Sequence, residues 1–256
     1  MVWLLFGGLK RLLQDLLSAL GAVLAPGRRG WILLAQILIA LLLGWLIYVP
    51  VHELLHAAGC AAAGGTVSEL AIAPIHGAAL LQRIFPFVVP SSEYAGRMTG
   101  FWTGGSDLVL LATDFAPYLL TILIGVPLLR SGLLSPAAPG RWRAWRAWIL
   151  GPAAVLASAP FIGLTGDYYE MASVMLTRGY SAAGIRGLEA LRADDMFRLL
   201  GLLYEKKIVI DGSPAVNWTI ALSIITVSLL LALALASATY RLGIIWASLL
   251  SRRRGS

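Results

Sequence analysis

Hydrophobic positions along this chain fall into two kinds of run. From Trp31 to Pro50 apolar residues follow one another with only Gln36 breaking the series, and the run continues through His52-Glu53-Leu54-Leu55-His56 to about Ala62. Comparable stretches cover Asp107 to Leu129, Trp145 to Leu164, and Val216 to about Leu250. A hydrocarbon layer about 30 Å thick takes about 20 residues of helix, so the pattern predicts four transmembrane helices, the last long enough to tilt or protrude. The second kind of run is amphipathic. Trp3, Leu5, Phe6, Leu9, Leu12, Leu13, Leu16, Leu17 and Leu20 recur at helical spacing around Lys10, Arg11, Gln14 and Asp15. That spacing predicts an interfacial helix within 1–30, in preference to a signal peptide or a further span, because the polar residues interrupt the apolar core and no small-x-small cleavage site follows.

Between the first two spans, Gly and Pro punctuate the stretch from Gly64 to Gly105. Val67 to Ile72 and Ile84 to Val89, broken at Pro74, Pro86 and Pro90, read as strands or a re-entrant hairpin. Phe101 and Trp102, flanked by Gly100, Gly104 and Gly105, read as an interfacial aromatic belt more readily than as a lateral gate. Ser181 to Lys207 combines helical periodicity with Arg186, Glu189, Arg192, Asp194, Asp195 and Arg198, the pattern of one or two solvated helices. The expected architecture is an all-α polytopic membrane protein with a small strand-like hairpin after the first span. Its expected parts are an amphipathic helix (1–30), a membrane core (31–180), a solvated helical connection (181–215) and a C-terminal span with a basic tail (216–256).

Composition supports this and narrows the partners. With 59% hydrophobic and 13% charged residues and a mean hydropathy of +0.81, the chain is too apolar for a soluble globule. The net charge of +7 would suit nucleic acid, but the basic residues gather at span ends, as cytoplasmic anchors do beside anionic headgroups. Lys10, Arg11, Arg28 and Arg29 precede the first span, Arg130, Arg141, Arg143 and Arg146 lie between the second and third, and Arg252, Arg253 and Arg254 follow the fourth. Placing all three groups inside satisfies the positive-inside rule with four crossings. A multi-pass protein of a prokaryotic cytoplasmic membrane, in contact with lipid and not with nucleic acid, is the expectation. Cys60 is the single cysteine, which excludes an intrachain disulfide and a multi-thiolate zinc cluster and leaves it a helix-packing role.

The chemistry-bearing feature is His52-Glu53-Leu54-Leu55-His56. Histidines four apart stand one turn above each other on a helix face, where both imidazoles reach one divalent ion with Glu53 beside the open position. Zinc in such a site acidifies a bound water, and the carboxylate takes its proton. Ionisable groups at bilayer depth cost roughly 2.5–3.5 kcal/mol each, which marks the three here as functional. The third ligand must arrive at the same depth. His52 lies roughly 30 Å along the helix from Trp31, and Asp167 about 28 Å along from Trp148 on a helix of the same direction. Asp114, about 10 Å into the second span, is also allowed, or could instead accept from a histidine N–H. Asp167 is the favoured ligand, its competing role being an N-cap for a helix through Met175. The extended pattern HExxHxxGxxH is matched at Gly59 but fails at Ala62, so that glycine reads as coincidence. His76 sits in the hairpin as a loop histidine, and Glu69 and Glu93 lack a helix to hold them.

An apolar helix carrying HELLHA, a Gly-rich strand-like segment after it, and a later Gly166-Asp167 ending another membrane helix together resemble the site-2 protease, or M50-type, intramembrane zinc metalloproteases. The resemblance spans about Trp31 to Leu176 and describes a compact, divergent member, with Tyr168 where the family's Asp-Gly motif has glycine and no evident PDZ or CBS domain. It implies zinc held by His52, His56 and, by position, Asp167, with Glu53 as catalytic base. It also implies that Gly64 to Val89 helps hold an extended peptide from a membrane-protein or membrane-proximal substrate. The expected activity is therefore that of a zinc endopeptidase. The competing expectations are a metal-binding transporter, sensor or assembly factor, for which the span interiors offer little beyond Gln36 and Arg241, and a scaffold carrying a chance HExxH. Three histidines are too few for a di-iron hydroxylase, and no GxSxG elbow supports a serine mechanism.

Overall fold

The structure is a computed structural model that describes residues 2–24, 27–132, 141–183, 188–205 and 218–253. Helix α1 (Val2–Val23) precedes α2 (Arg28–Ala62), a three-stranded sheet with the short helix α3 (Ala78–Ile84), then α4 (Asp107–Phe115) with its irregular continuation. Helices α5 (Arg141–Ile162), α6 (Asp167–Ala182), α7 (Met196–Tyr204) and α8 (Trp218–Arg253) follow. Among the described residues, four helical stretches are long and apolar enough to cross a membrane: Arg29–Ala62, Asp107–Arg130, Ala144–Thr165 and Trp218–Arg252. These match the four expected spans to within a few residues, except that Val216, the expected start of the last, lies outside the described residues, as do Arg186, Lys206, Lys207 and Arg254. The chain forms two compact units, a smaller one of Met1–Gly7 with Pro160–Ala238 and a larger one of Gly8–Ala159 with Thr239–Ser256.

In the larger unit, glycines set how closely the long helices approach. A Cβ on Gly44 would lie 3.0 Å from the Pro152 Cα, one on Gly125 would lie 2.7 Å from the Leu156 carbonyl carbon, and one on Gly243 would lie 2.7 Å from the Val126 Cβ. Helices that gain nothing from apolar burial against one another in lipid associate through such small-residue contacts.

Prolines inside the helices create a second requirement. A proline has no N–H, so the carbonyl four residues before it loses its helical donor. Pro50 uncovers the Leu46 carbonyl, and His76 Nδ1 donates to it at 3.1 Å. Pro160 uncovers the Leu156 carbonyl, which accepts from Thr121 Oγ1 at 2.6 Å. Around Pro127 the second span widens into two π turns, Thr121–Gly125 and Leu128–Gly132. Such adjustments and side-chain donors are how a helix carries proline where water cannot reach.

The segment after α2 is a mixed sheet of order β2-β1-β3. Strand β1 (Thr66–Ile72) pairs parallel with β2 (Val88–Pro90) and antiparallel with β3 (Gly96–Trp102). Leu70 and Ile72 point to one face, where they pack with Val88, Ala78 and Leu54, the last from within the histidine motif. The strand expected at Val67 to Ile72 is present. That expected at Ile84 to Val89 is replaced: Ala78–Ile84 forms helix α3, entered through the left-handed Gly77, and only Val88–Pro90 is extended. The run Ala78-Ala79-Leu80-Leu81-Gln82-Arg83 favours helix, and Pro86 then ends it. Phe101 and Trp102, expected as an aromatic belt, belong to β3.

Helix α1 has an unexpected buried face. Leu12, Asp15, Ala19 and Val23 are buried, while Leu13 and Leu17 are exposed. The Asp15 carboxylate pairs with Arg130 and with Arg11 (3.3 Å), and accepts from the Tyr240 hydroxyl at 2.9 Å. A buried charge is tolerated only with such partners. In the smaller unit Leu188, Leu191, Leu199, Leu203, Ala221 and Ile224 form a core with Tyr169. Helix α7 is therefore anchored on one face, where a solvated helix was expected. Asp195 caps it, accepting from the Phe197 and Arg198 amides. Burial pushes the Tyr169 phenol up to about 12. Asp15→Ala leaves the buried Tyr240 hydroxyl and Arg130 without their acceptor and should cost about 3–5 kcal/mol, read as a loss of thermal stability in detergent.

Candidate metal centre

His52, Glu53 and His56 occupy successive turns near the C-terminal end of α2. The two imidazoles converge, with His52 Nε2 3.1 Å from His56 Nε2. His52, His56 and Asp167 form a group that could bind a metal ion. Two nitrogens bound tetrahedrally at about 2.0–2.1 Å lie about 3.3–3.4 Å apart, close to the spacing of the histidine pair. His56 is buried, while His52 and Asp167 are partly exposed.

The ring orientations have separate causes. His56 Nδ1 lies 2.9 Å from the Thr113 carbonyl of α4. A carbonyl only accepts, so Nδ1 carries the proton and Nε2 turns its lone pair toward His52. His52 Nδ1 lies 2.6 Å from the Tyr48 hydroxyl, one turn earlier on α2. A hydroxyl gives or accepts a proton, so Tyr48 holds the His52 ring in either tautomer. The Tyr118 ring, fully buried, meets His52 edge-on at 5.6 Å between centroids. Close packing of α2 on α4 brings these groups together at Gly59, where a Cβ would lie 2.5 Å from Ala116 Cβ and 2.9 Å from the Ala112 carbonyl oxygen. The glycine that reads as a motif coincidence is thus the contact that lets Thr113 reach His56.

Glu53 is positioned by the sheet. A Cβ on Gly96, the first residue of β3, would run into Cγ and Cδ of Glu53. The absent methyl leaves a slot for this side chain against the backbone of β3. Gly96 is paired with Ile72 of β1, so the slot belongs to the sheet framework and not to a loose loop.

The remaining candidates are placed differently from expectation in two respects. Asp167 is the first residue of α6, after Gly166, and so is not the cap of that helix. Its carboxylate instead stands at the positive end of the helix. Asp114 is buried on α4, and among the described residues the group with the histidines contains Asp167 and not Asp114. The histidine N–H acceptor considered for Asp114 is supplied by the backbone of its neighbour Thr113. His76 stays a structural histidine on the Leu46 carbonyl. Glu69 accepts from Thr99 Oγ1 across the sheet at 2.7 Å, and Cys60 is fully buried with its sulfur 3.9 Å from the Thr66 carbonyl, as a packing residue. Tyr48 is detectable in the sequence, because it precedes His52 by four and shares its helix face. Gly96 is not, since nothing local links it to Glu53.

Titrated with a divalent metal, the purified protein should lose binding on His56→Ala, and Tyr48→Phe should weaken affinity by about 10–100-fold while the fold persists. Unchanged affinity in Tyr48→Phe removes that hydroxyl from the centre. No protein-family model matches the chain, and no curated protein or solved structure is significantly similar to it.

Proposed function

We propose that the protein is a membrane-embedded zinc endopeptidase that hydrolyses a peptide bond in a transmembrane or membrane-proximal segment. The observation that carries this reading is the convergence of the His52 and His56 nitrogens, with Glu53 between them in sequence and its side chain seated against Gly96. With Asp167 as the third member of the group, two imidazoles and one carboxylate form a donor set typical of catalytic zinc, leaving an open fourth position. Zinc held there would supply Lewis-acid activation of water. Glu53, on the motif face but outside the ligand group, takes the proton of the attacking water and delivers it to the departing amine. Tyr48 and the Thr113 carbonyl hold the ligand rings against rotation.

Substrate presentation follows from the sheet. Strand β3 lies at the end of the strand order and begins at the Glu53 slot. A helical segment hides its amides, whereas a peptide added along this edge would be extended and its carbonyls turned toward the centre. An apolar cavity of about 340 Å³ lined by Gly44, Ile47, Tyr48, Val51, Trp148 and Pro152 shares Tyr48 with the metal centre. It suits the apolar side chains of a lipid-borne substrate. The four lipid-length helices, with leucines such as Leu38 and Leu42 outward on α2, support a multi-pass location.

Reconstituted with single-span peptides tagged at both ends, the protein should release two fragments. Glu53→Gln should lower that rate by about 10²–10⁴-fold with zinc still bound. Retained cleavage in this variant overturns the mechanism, and zinc transport into liposomes without cleavage would favour a transporter instead. Gly96→Ala, whose methyl would meet Glu53 at Cγ and Cδ and push that side chain from its seat, should slow cleavage by about 100-fold with metal content unchanged.

A further inference from the structure

Resting on the reading of His56 as a metal ligand, we infer that Pro117 is a positioning residue for the metal centre, acting by uncovering the backbone carbonyl that orients His56. Thr113 precedes Pro117 by four residues, so in a continuous helix its carbonyl would accept from the amide at 117. Proline has no such amide. The Thr113 carbonyl receives His56 Nδ1 from the adjacent helix at 2.9 Å instead.

The same arrangement occurs twice more. Pro50 leaves the Leu46 carbonyl to His76 Nδ1, and Pro160 leaves the Leu156 carbonyl to Thr121 Oγ1. In all three cases the acceptor lies four residues before a proline and the donor is a side chain from another element. At Pro117 alone the donor is a member of the ligand group.

The geometry explains why the proline matters to the ring and not only to the helix. An amide at 117 would engage the Thr113 carbonyl along the helix axis, whereas proline offers it no N–H and leaves it to the His56 donor from the neighbouring helix. After Phe115 the chain departs from α-helix into a tight turn over Ala116–Tyr118, which contains Pro117 and sets the Tyr118 ring against His52. Gly59 supplies the other half of the contact, since it lets α2 come close enough for His56 to reach across. Because the carbonyl accepts and never donates, the imidazole proton is held on Nδ1 and the Nε2 lone pair is kept available. A regular helix at this point would offer His56 only the second lone pair of a carbonyl already engaged by its own amide, and would hold the ring less firmly.

The test measures metal affinity of the full-length protein in detergent by competition with a chromogenic chelator, using Zn²⁺ as the probe. Pro117→Ala restores the amide and should weaken Zn²⁺ binding by about 10–100-fold. Thr121→Val, which removes the donor at the equivalent carbonyl before Pro160, should lose stability but keep wild-type affinity. Lactate introduced at position 117 lacks both the ring and the N–H, and should bind as tightly as wild type. This last chain decides the matter even where Pro117→Ala folds poorly. Wild-type affinity in Pro117→Ala, or weak binding in the lactate chain, overturns the role assigned to Pro117. Failure of the wild-type protein itself to bind Zn²⁺ instead overturns the metal-centre reading beneath it.

Discussion

Inside an apolar helix a backbone carbonyl without a donor has no water to turn to, and much of this structure is arranged around that constraint. Leaving such a group unmet costs about 1–3 kcal/mol, comparable to a sizeable share of a domain's net stability. At prolines 50, 117 and 160 the fold brings a side-chain donor from elsewhere. His76 fixes the sheet region to α2 in this way, and Thr121 fixes the second span to α5. His56 fixes α2 to α4. The hydrogen bonds that repair the helices are the same ones that lock the helices together.

The candidate centre is built on that framework. A histidine pair one turn apart gives proximity but not direction, since each ring rotates about its own side-chain bonds. Direction comes from Thr113, Tyr48 and Tyr118, and the seat of Glu53 comes from the missing methyl of Gly96. The ligand side chains are supported by main chain and packed rings, which hold a geometry better than further mobile polar side chains would.

Much of this was legible in the sequence. The four lipid-length helices followed from unbroken apolar runs, because length and hydropathy are local properties. The spacing of His52 and His56 and the depth of Asp167 pointed in the sequence to the group that could bind a metal ion. Other features depend on contacts across long separations. Gly96 reads as one more glycine in a Gly-rich stretch until it is found against Glu53, and Gly59 gains meaning only from Ala116. Asp15 looks like the polar side of an interfacial helix, yet it is buried because Arg130 and Tyr240 meet it. Strand β3 was hidden because Gly96-Arg97-Met98-Thr99-Gly100 lacks the apolar alternation of a half-buried strand. Prolines 50, 117 and 160 announce which carbonyls are uncovered, but not which side chain arrives.

The Asp15 cluster also imposes an order on biogenesis. Synthesis delivers the carboxylate on α1 long before its partner Tyr240, 225 residues later, leaves the ribosome. Arg11, one turn away, is at hand from the start, and Arg130 follows 115 residues on. The full set of partners for this buried acid therefore exists only once nearly all of the chain has been made.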